Sequence, residues 1–220
     1  MKHWPGICLL GIIFVFALGL SMALAEVREV RVAWVPDGDT LILDNREVVR
    51  LKGIDAPETG YNGHPGQYFA REAAERLEEL VMDRSLTMKT GQVPEDRYGR
   101  TLAYVYLPSG EKINVLLVEE GLAFYYPHPD QDEAFSGRIY RAQQRAVDQG
   151  LGFWPEVLAQ EPKVEGWPGN KRSRRFHHPD CGYGQRIADH NMRMFSSLGE
   201  AFYAGFAPCR RCTPWPAEER

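Results

Sequence analysis

Cysteine is scarce. The 220 residues hold four, and one of these, Cys8, lies in an N-terminal apolar stretch. The remaining three, Cys181, Cys209 and Cys212, are an odd number, which excludes a complete disulfide framework. Basic charge is not in excess either. With 26 Lys and Arg against 30 Asp and Glu, the formal net charge is −4. Bulk electrostatics therefore does not mark a nucleic-acid binder, and any phosphate affinity has to come from local groups or a bound cation. No internal repeat is visible, which excludes a repeat architecture.

Long apolar runs are also missing after the first 25 residues. Within them, Lys2 gives a short basic start, residues 7–20 are uncharged, and Ala23-Leu24-Ala25 supplies a cleavage site. Residues 1–25 read as a secretory signal peptide cut before Glu26, so the protein is expected to be exported, periplasmic or extracellular. The alternative is a retained anchor, since the uncharged stretch nearly spans a bilayer. Only then is a membrane a partner. Residues 26–160 carry 15 basic and 23 acidic side chains, a net −8, whereas residues 161–220 carry 10 and 7, a net +3.

What is present begins with β-rich patterning. Val30, Val32 and Trp34 alternate with Arg31, Ala33 and Val35, and "TLILD", "EVVRLKGI", "SLTMKT" and "TLAYVYL" continue it. Helical spacing of Phe69, Ala73, Leu77, Leu80 and Val81 predicts a helix near 67–82. "INVLLVEEG" predicts a second, stopped at Gly121, and "DEAFSGRIYRAQQRAVDQG" a third, stopped at Gly150. Five strands and three helices predict an α+β domain over 26–158, a small closed barrel with helices packed on it. Residues 159–176, rich in Pro, Gly and charge, read as a linker. Its run Lys171, Arg172, Arg174, Arg175 is a solvated spacer or a grip on nucleic acid.

Chemistry concentrates in three short stretches. "PDGDT" puts Asp37 and Asp39 on either side of a glycine, so both carboxylates can reach one region. "RLKGIDAPE" adds Asp55 and Glu58 around the Ala56 carbonyl, which Pro57 biases away from helical dihedrals. Hard cations such as calcium take oxygen ligands of these kinds. Arg50, in a β-branched run, needs a partner there. On a straight strand Arg50 and Asp55 would lie about 16 Å apart on opposite faces. A bend at Gly53 is expected to bring them together. "DRYGR" supplies Arg97, Tyr98 and Arg100; paired guanidinia can clamp phosphate oxygens, and Tyr98 offers a ring or a hydroxyl.

In their order and spacing, "DGDT", "RLKGIDAPE", "DRYGRTLAYVY" and "INVLLVEEGLA" resemble the thermonuclease (staphylococcal-nuclease-like) family over roughly 27–155. The resemblance implies a five-stranded OB-type barrel with three helices, one Ca2+, and cleavage of DNA and RNA to 3′-phosphates. By motif, Asp39, Asp55 and the Ala56 carbonyl would ligate calcium, and Asp37 would act through water. Glu58 would orient or deprotonate the attacking water, while Arg50 and Arg100 would hold the scissile phosphate. Asp39 and Asp55 are expected at a solvent-accessible rim. Ala56 stands where the family often has threonine, and Arg97 where lysine is common. Tyr125 and Tyr126 are candidate substrate contacts, although with Phe124 they do not align cleanly with the family's pocket tyrosines. His64, His128 and His190 receive no role.

In the tail, "HHPDC" and "PCRRC" give His177-x3-Cys181, then 27 residues, then Cys209-x2-Cys212. One histidine and three thiolates satisfy tetrahedral zinc, so 177–214 reads as a Cys3His module with one helix and a short hairpin. A Cys209–Cys212 disulfide is the alternative, and His178 is an alternative ligand to His177. The same stretch resembles the metal-binding domain of the bacterial alkylation-repair protein that accepts methyl groups from DNA phosphotriesters. His177 stands at that family's methyl-accepting cysteine, so repair activity is not expected. A zinc-stabilised element touching nucleic acid through Arg210, Arg211 and the linker is. The expected whole is an exported Ca2+-dependent nuclease with no stable protein partner; its rival is a non-catalytic nucleic-acid-binding barrel with a zinc docking module.

Overall fold

The computed structural model describes residues 26–60, 65–128, 131–159, 165–212 and 215–216. The signal segment, His64 and the first part of the expected linker lie outside them. Among the described residues no helix is long and apolar enough to cross a membrane.

The chain opens with β1 (Val27–Val30) and β2 (Val32–Asp37), then β3 (Thr40–Leu43), β4 (Val48–Leu51) and the short β5 (Ile54–Asp55). Helix α1 (Ala70–Val81) precedes β6 (Leu86–Glu95) and β7 (Thr101–Tyr106). Next come α2 (Ile113–Glu119), β8 (Phe124–Tyr125), α3 (Glu133–Gln149) and α4 (Trp154–Ala159). All three predicted helices are present. The Asp132 side chain caps α3 by accepting from the Phe135 amide, and Gly150 ends it in the left-handed region.

One six-stranded sheet runs β1-β6-β7-β4-β3-β2, parallel only at β4–β7. β1 and β2 stand at opposite ends of that order, yet Arg31 alone separates them in the chain. The sheet must therefore curl until its two ends meet. Six strands replace the five expected because the first predicted strand changes partners at Arg31, pairing with β6 before it and β3 after it. A register shift between Val32 and Trp34 also overturns the expected alternation. Beyond the bulge Val35 turns inward and Trp34 is exposed.

Leu41, Val49, Leu77, Met88, Val105, Leu117 and Ile139 fill the interior between the sheet and α1–α3. Asn114 is fully buried and satisfied, its Oδ1 accepting from the Val105 amide (3.0 Å) and its Nδ2 donating to the Lys52 carbonyl (2.9 Å). It ties α2 to the sheet.

The tail corrects the expected linker. β9 (Trp167–Asn170), β10 (Arg175–Phe176), β11 (Met192–Phe195) and β12 (Ala207–Pro208) form a second sheet in the order β11-β9-β10-β12, with α5 (Leu198–Tyr203) against it. β9 is central in this sheet although it reads Trp-Pro-Gly-Asn, a composition that argues against a strand. Burial decides instead: Trp167 is fully enclosed, edge-on to Phe176. The Lys171–Arg174 run is the turn between β9 and β10, not a spacer.

The two regions are not independent. Phe124, Phe153 and Trp154 share one aromatic core with Trp167, Phe176, Phe202 and Phe206. The buried Gln143 amide, from α3, accepts from the Tyr125 amide and donates to the Phe202 carbonyl, both at 2.7 Å. At the C-terminal end the Trp215 indole donates to the Tyr68 carbonyl (3.0 Å).

Candidate active site and metal centre

The β2–β3 hairpin turns through Gly38 and Asp39, with Asp37 paired to Thr40. The Asp37 carboxylate accepts from the Asp39 amide (3.0 Å), closing the turn. Gly38 has no room for a side chain: a Cβ there would lie 2.6 Å from that of Ala73 on α1 and 2.8 Å from that of Ala56. That close approach holds the acidic hairpin against both neighbours.

The expected bend exists. Gly53 sits at φ +86° between β4 and β5, and Arg50 and Asp55 meet across it. One Arg50 nitrogen, Nη1, donates to the Leu51 and Ile54 carbonyls at 3.1 and 3.0 Å. The other, Nη2, contacts the Asp55 carboxylate and lies 2.6 Å from Asp39 Oδ2. Asp39 Oδ2 also accepts from the Ala56 amide (2.7 Å), so Asp37, Asp39, Asp55, Ala56 and Arg50 converge. The convergence is not at the rim. Asp39, Arg50 and Asp55 are 4–7% exposed, because the guanidinium doubles as the internal cation of the bend.

The cluster is short of positive charge. Burial pushes the Asp39 carboxyl well above the usual range, against the pull of Arg50, and the charges of Asp37 and Asp55 push the same way. Glu58 is exposed beside it, with its amide bonded to the Gln67 side chain (2.8 Å). Desolvation, then Asp55 and Asp37, raise its pKa, with Arg50 and Arg210 opposing. Fully ionised, four carboxylates against these two guanidinia would carry a formal charge of −2, which the upward shifts of Asp39 and Glu58 oppose. An oxygen-rich donor set with that deficit fits a hard divalent cation.

Beside the cluster opens a cleft of about 430 Å³ lined by Arg50, Lys52, Arg97, Tyr98, Arg100, Tyr126, His128 and Arg210, among others. Arg100 is held by Asp96, whose carboxylate accepts from its Nε at 2.8 Å. The Arg97 and Arg100 guanidinia lie 4.7 and 5.5 Å from the exposed Tyr98 ring. Tyr126 lines the cleft. Tyr125 does not line it: β8 turns that ring into the core against Tyr140 (6.0 Å), which corrects its assignment as a substrate contact. His128, left without a role, joins the lining, while His190 is exposed.

At the tail, one ligand atom each from His177, Cys181, Cys209 and Cys212 falls within 4.8 Å of all the others. His177 Nδ1 lies 3.5 Å from Cys181 Sγ, matching the roughly 3.5 Å between nitrogen and sulfur on a tetrahedral zinc. None of the three cysteines is in a disulfide. Burial, with the neighbouring sulfurs of Cys181 and Cys209, pushes the Cys212 thiol up to about 12, although the His178 amide donates to its sulfur. Three sulfurs this close ionise together only around a cation, and the donor set fits zinc. The imidazole of His178 turns elsewhere, accepting from the Asp180 amide (3.2 Å) and lying edge-on to Trp167.

One contact has no precursor in the sequence. Arg210 Nη2 reaches from between two of these cysteines to Asp55 Oδ1, 2.8 Å away. The "PCRRC" motif flags a basic pair near a metal but gives no hint of an aspartate 155 residues earlier.

Fold and site together define an α+β protein with a buried acidic cluster beside an arginine-lined cleft, and a Cys3His cluster linked to it through Arg210. The family of staphylococcal nuclease homologues matches residues 48–156, and the metal binding domain of Ada matches residues 153–214. A thermonuclease of Staphylococcus intermedius is 37% identical over 123 residues, 54% of this chain and 72% of the relative. A micrococcal nuclease of Shigella flexneri is 37% identical over 137 residues, 57% and 73% of the two chains. A thermonuclease of Staphylococcus hyicus is 35% identical over 142 residues, 62% and 80%. The chain belongs to the staphylococcal nuclease homologue family.

Proposed function

We propose that the protein is an exported Ca2+-dependent nuclease that hydrolyses phosphodiester bonds of DNA and RNA and leaves 3′-phosphates. One observation carries this reading: Asp39 and Asp55 converge on Arg50 directly beside a cleft that also holds Arg97, Arg100 and Arg210. A retired binding barrel has no need of this acidic cluster with its charge deficit. The curled sheet is then the family's OB-type barrel, with β1 and β2 acting as one strand.

Asp39, Asp55 and the Ala56 carbonyl would hold the calcium, with Asp37 acting through water. When bound, the ion would neutralise charge on the phosphate. Glu58 accepts a proton from water as the water oxygen bonds to phosphorus. The bond from phosphorus to the 5′ oxygen breaks, and that oxygen is protonated from solvent. Arg50 and Arg100 hold the charge that grows on the phosphoryl oxygens. His177, Cys181, Cys209 and Cys212 would hold a structural zinc. Export rests on residues 1–25 and requires a mature chain beginning at Glu26.

The test is cleavage of single-stranded DNA by the purified protein, first with calcium and then with calcium chelated. Products ending in 3′-phosphate that vanish on chelation support the proposal. Binding without cleavage in calcium would turn it into the binding-barrel reading.

A further inference from the structure

The nuclease reading counts Arg210 in the cleft but gives it no part of its own. Its backbone sits in a tight turn between two ligands of the sulfur cluster, closed by the Cys212 amide donating to the Cys209 carbonyl (3.1 Å). The Cys209 amide in turn donates to the Phe176 carbonyl (2.9 Å), fixing the turn to the tail sheet. From there the side chain crosses to the other region. Its Nη2 bonds Asp55, the carboxylate that Arg50 also engages, and its guanidinium stands 5.2 Å from the Tyr126 ring. Arg175 reinforces the junction, with its guanidinium 3.6 Å from the same ring and its Nη2 donating to the Pro127 carbonyl (3.1 Å).

The Arg210 side chain is 46% exposed and lines the cleft. One of its five N–H groups suffices for Asp55, so the others are available to a phosphate. Arg211, next in sequence, diverges from it, its guanidinium 5.3 Å from the Tyr183 ring. Only one of the two arginines is aimed at the nuclease site.

We propose that the tail delivers Arg210 as a third phosphate-binding arginine of the nuclease cleft, and that metal bound at the sulfur cluster holds it there. Substrate affinity then depends on a metal that never meets the substrate. A long arginine side chain is mobile on a loose loop, and anchoring its backbone between two metal ligands fixes the starting point of its reach. This inference rests on the reading of the cleft as the nucleic-acid site, but its test reads binding rather than cleavage.

The experiment measures fluorescence anisotropy of a labelled single-stranded oligonucleotide with the full-length, zinc-loaded protein in calcium-depleted buffer at several salt concentrations. Arg210→Ala is expected to weaken binding about tenfold and to lower the slope of log K against log salt by about 0.7, the value for one lost phosphate contact on a single strand. Arg210→Lys, which keeps the charge but not the fork, should fall between the two. Zinc content and thermal unfolding of each variant establish that the tail is intact. Zinc-stripped native protein should show the Arg210→Ala loss, and stripping the variant should add nothing further. Unchanged affinity and slope in both variants would overturn the proposal, reducing Arg210 to an interface ion pair. Tighter DNA binding by Arg210→Ala would overturn it the other way, making the arginine a plug. Full affinity in the stripped native protein would remove the metal from the argument. If the native protein binds but does not cleave, and Arg210→Ala still loses slope, the nuclease reading fails while this one stands.

Discussion

The acidic cluster and the sulfur cluster both offer donors that fit a cation, but only in the first do guanidinia bond the donor atoms themselves. Arg50 bridges Asp39 and Asp55, and Arg210 adds a second contact to Asp55. The bend at Gly53 closes around a guanidinium, so this site can fold without a metal. The sulfur cluster packs three thiols and an imidazole together, and burial drives Cys212 up to about 12. No guanidinium bonds to these sulfurs among the described contacts, so a bound cation is what would offset their charge. On the proposed reading, a calcium held at the first would serve chemistry and a zinc held at the second would serve the fold.

The largest effect that would sharpen this contrast is loss of zinc. Structural zinc contributes on the order of 10 kcal/mol in small peptides, and here the shared aromatic core carries part of the load. Stripping zinc should therefore loosen the tail sheet and perturb Trp167 fluorescence, whereas chelating calcium leaves both unchanged. His177→Ala should lose zinc and His178→Ala should keep it; elemental analysis of the two variants checks this, and equal loss would erase the distinction. A fragment beginning at Arg175 is a poor substitute for the full chain, because it lacks β9, the strand between β10 and β11.

Next in size is the difference between the two arginines of the barrel. Arg50→Ala strands Asp39 and Asp55 in a buried setting, so it should cost about 3–5 kcal/mol of stability as well as at least roughly 100-fold in kcat. Arg100→Ala should lose a similar factor in kcat with little change in unfolding, since Arg100 is part-exposed and bonds one carboxylate. Equal stability losses would show that Arg50 is not the internal cation of the bend.

The smallest effect is at the sheet's far end. Glu47 accepts from Arg28 and Thr101, and against its own desolvation these bonds hold its carboxyl below the usual carboxylate range. A depressed carboxylate contributes stability above its unfolded value and loses it as pH falls through the folded one. Glu47→Gln should lower the unfolding temperature by a few degrees at neutral pH, about 1 kcal/mol or less, and the gap should close as acid protonates the native carboxylate. Thermal melts across pH measure it, and a gap that persisted in acid would assign the effect to packing.

The local patterns in the sequence determined a good deal. The helical spacing around Leu77, the run ending at Gly121 and the stretch stopped at Gly150 produce α1, α2 and α3 where expected, because each signal acts within a few residues. The motif residues Asp37, Asp39, Arg50 and Asp55 were legible too, and Gly53 supplied the bend that joins them. The tertiary structure decided what long-range burial controls. Trp167 pulls a Pro-Gly segment into the middle of a sheet, and Tyr125 turns away from the cleft to pack on Tyr140. Arg31 divides one strand between two partners. Above all, Arg210 meets Asp55 only because Phe124, Phe153 and Trp154 share a core with the tail. No short-range periodicity encodes that contact; it exists because two apolar surfaces far apart in sequence leave water together.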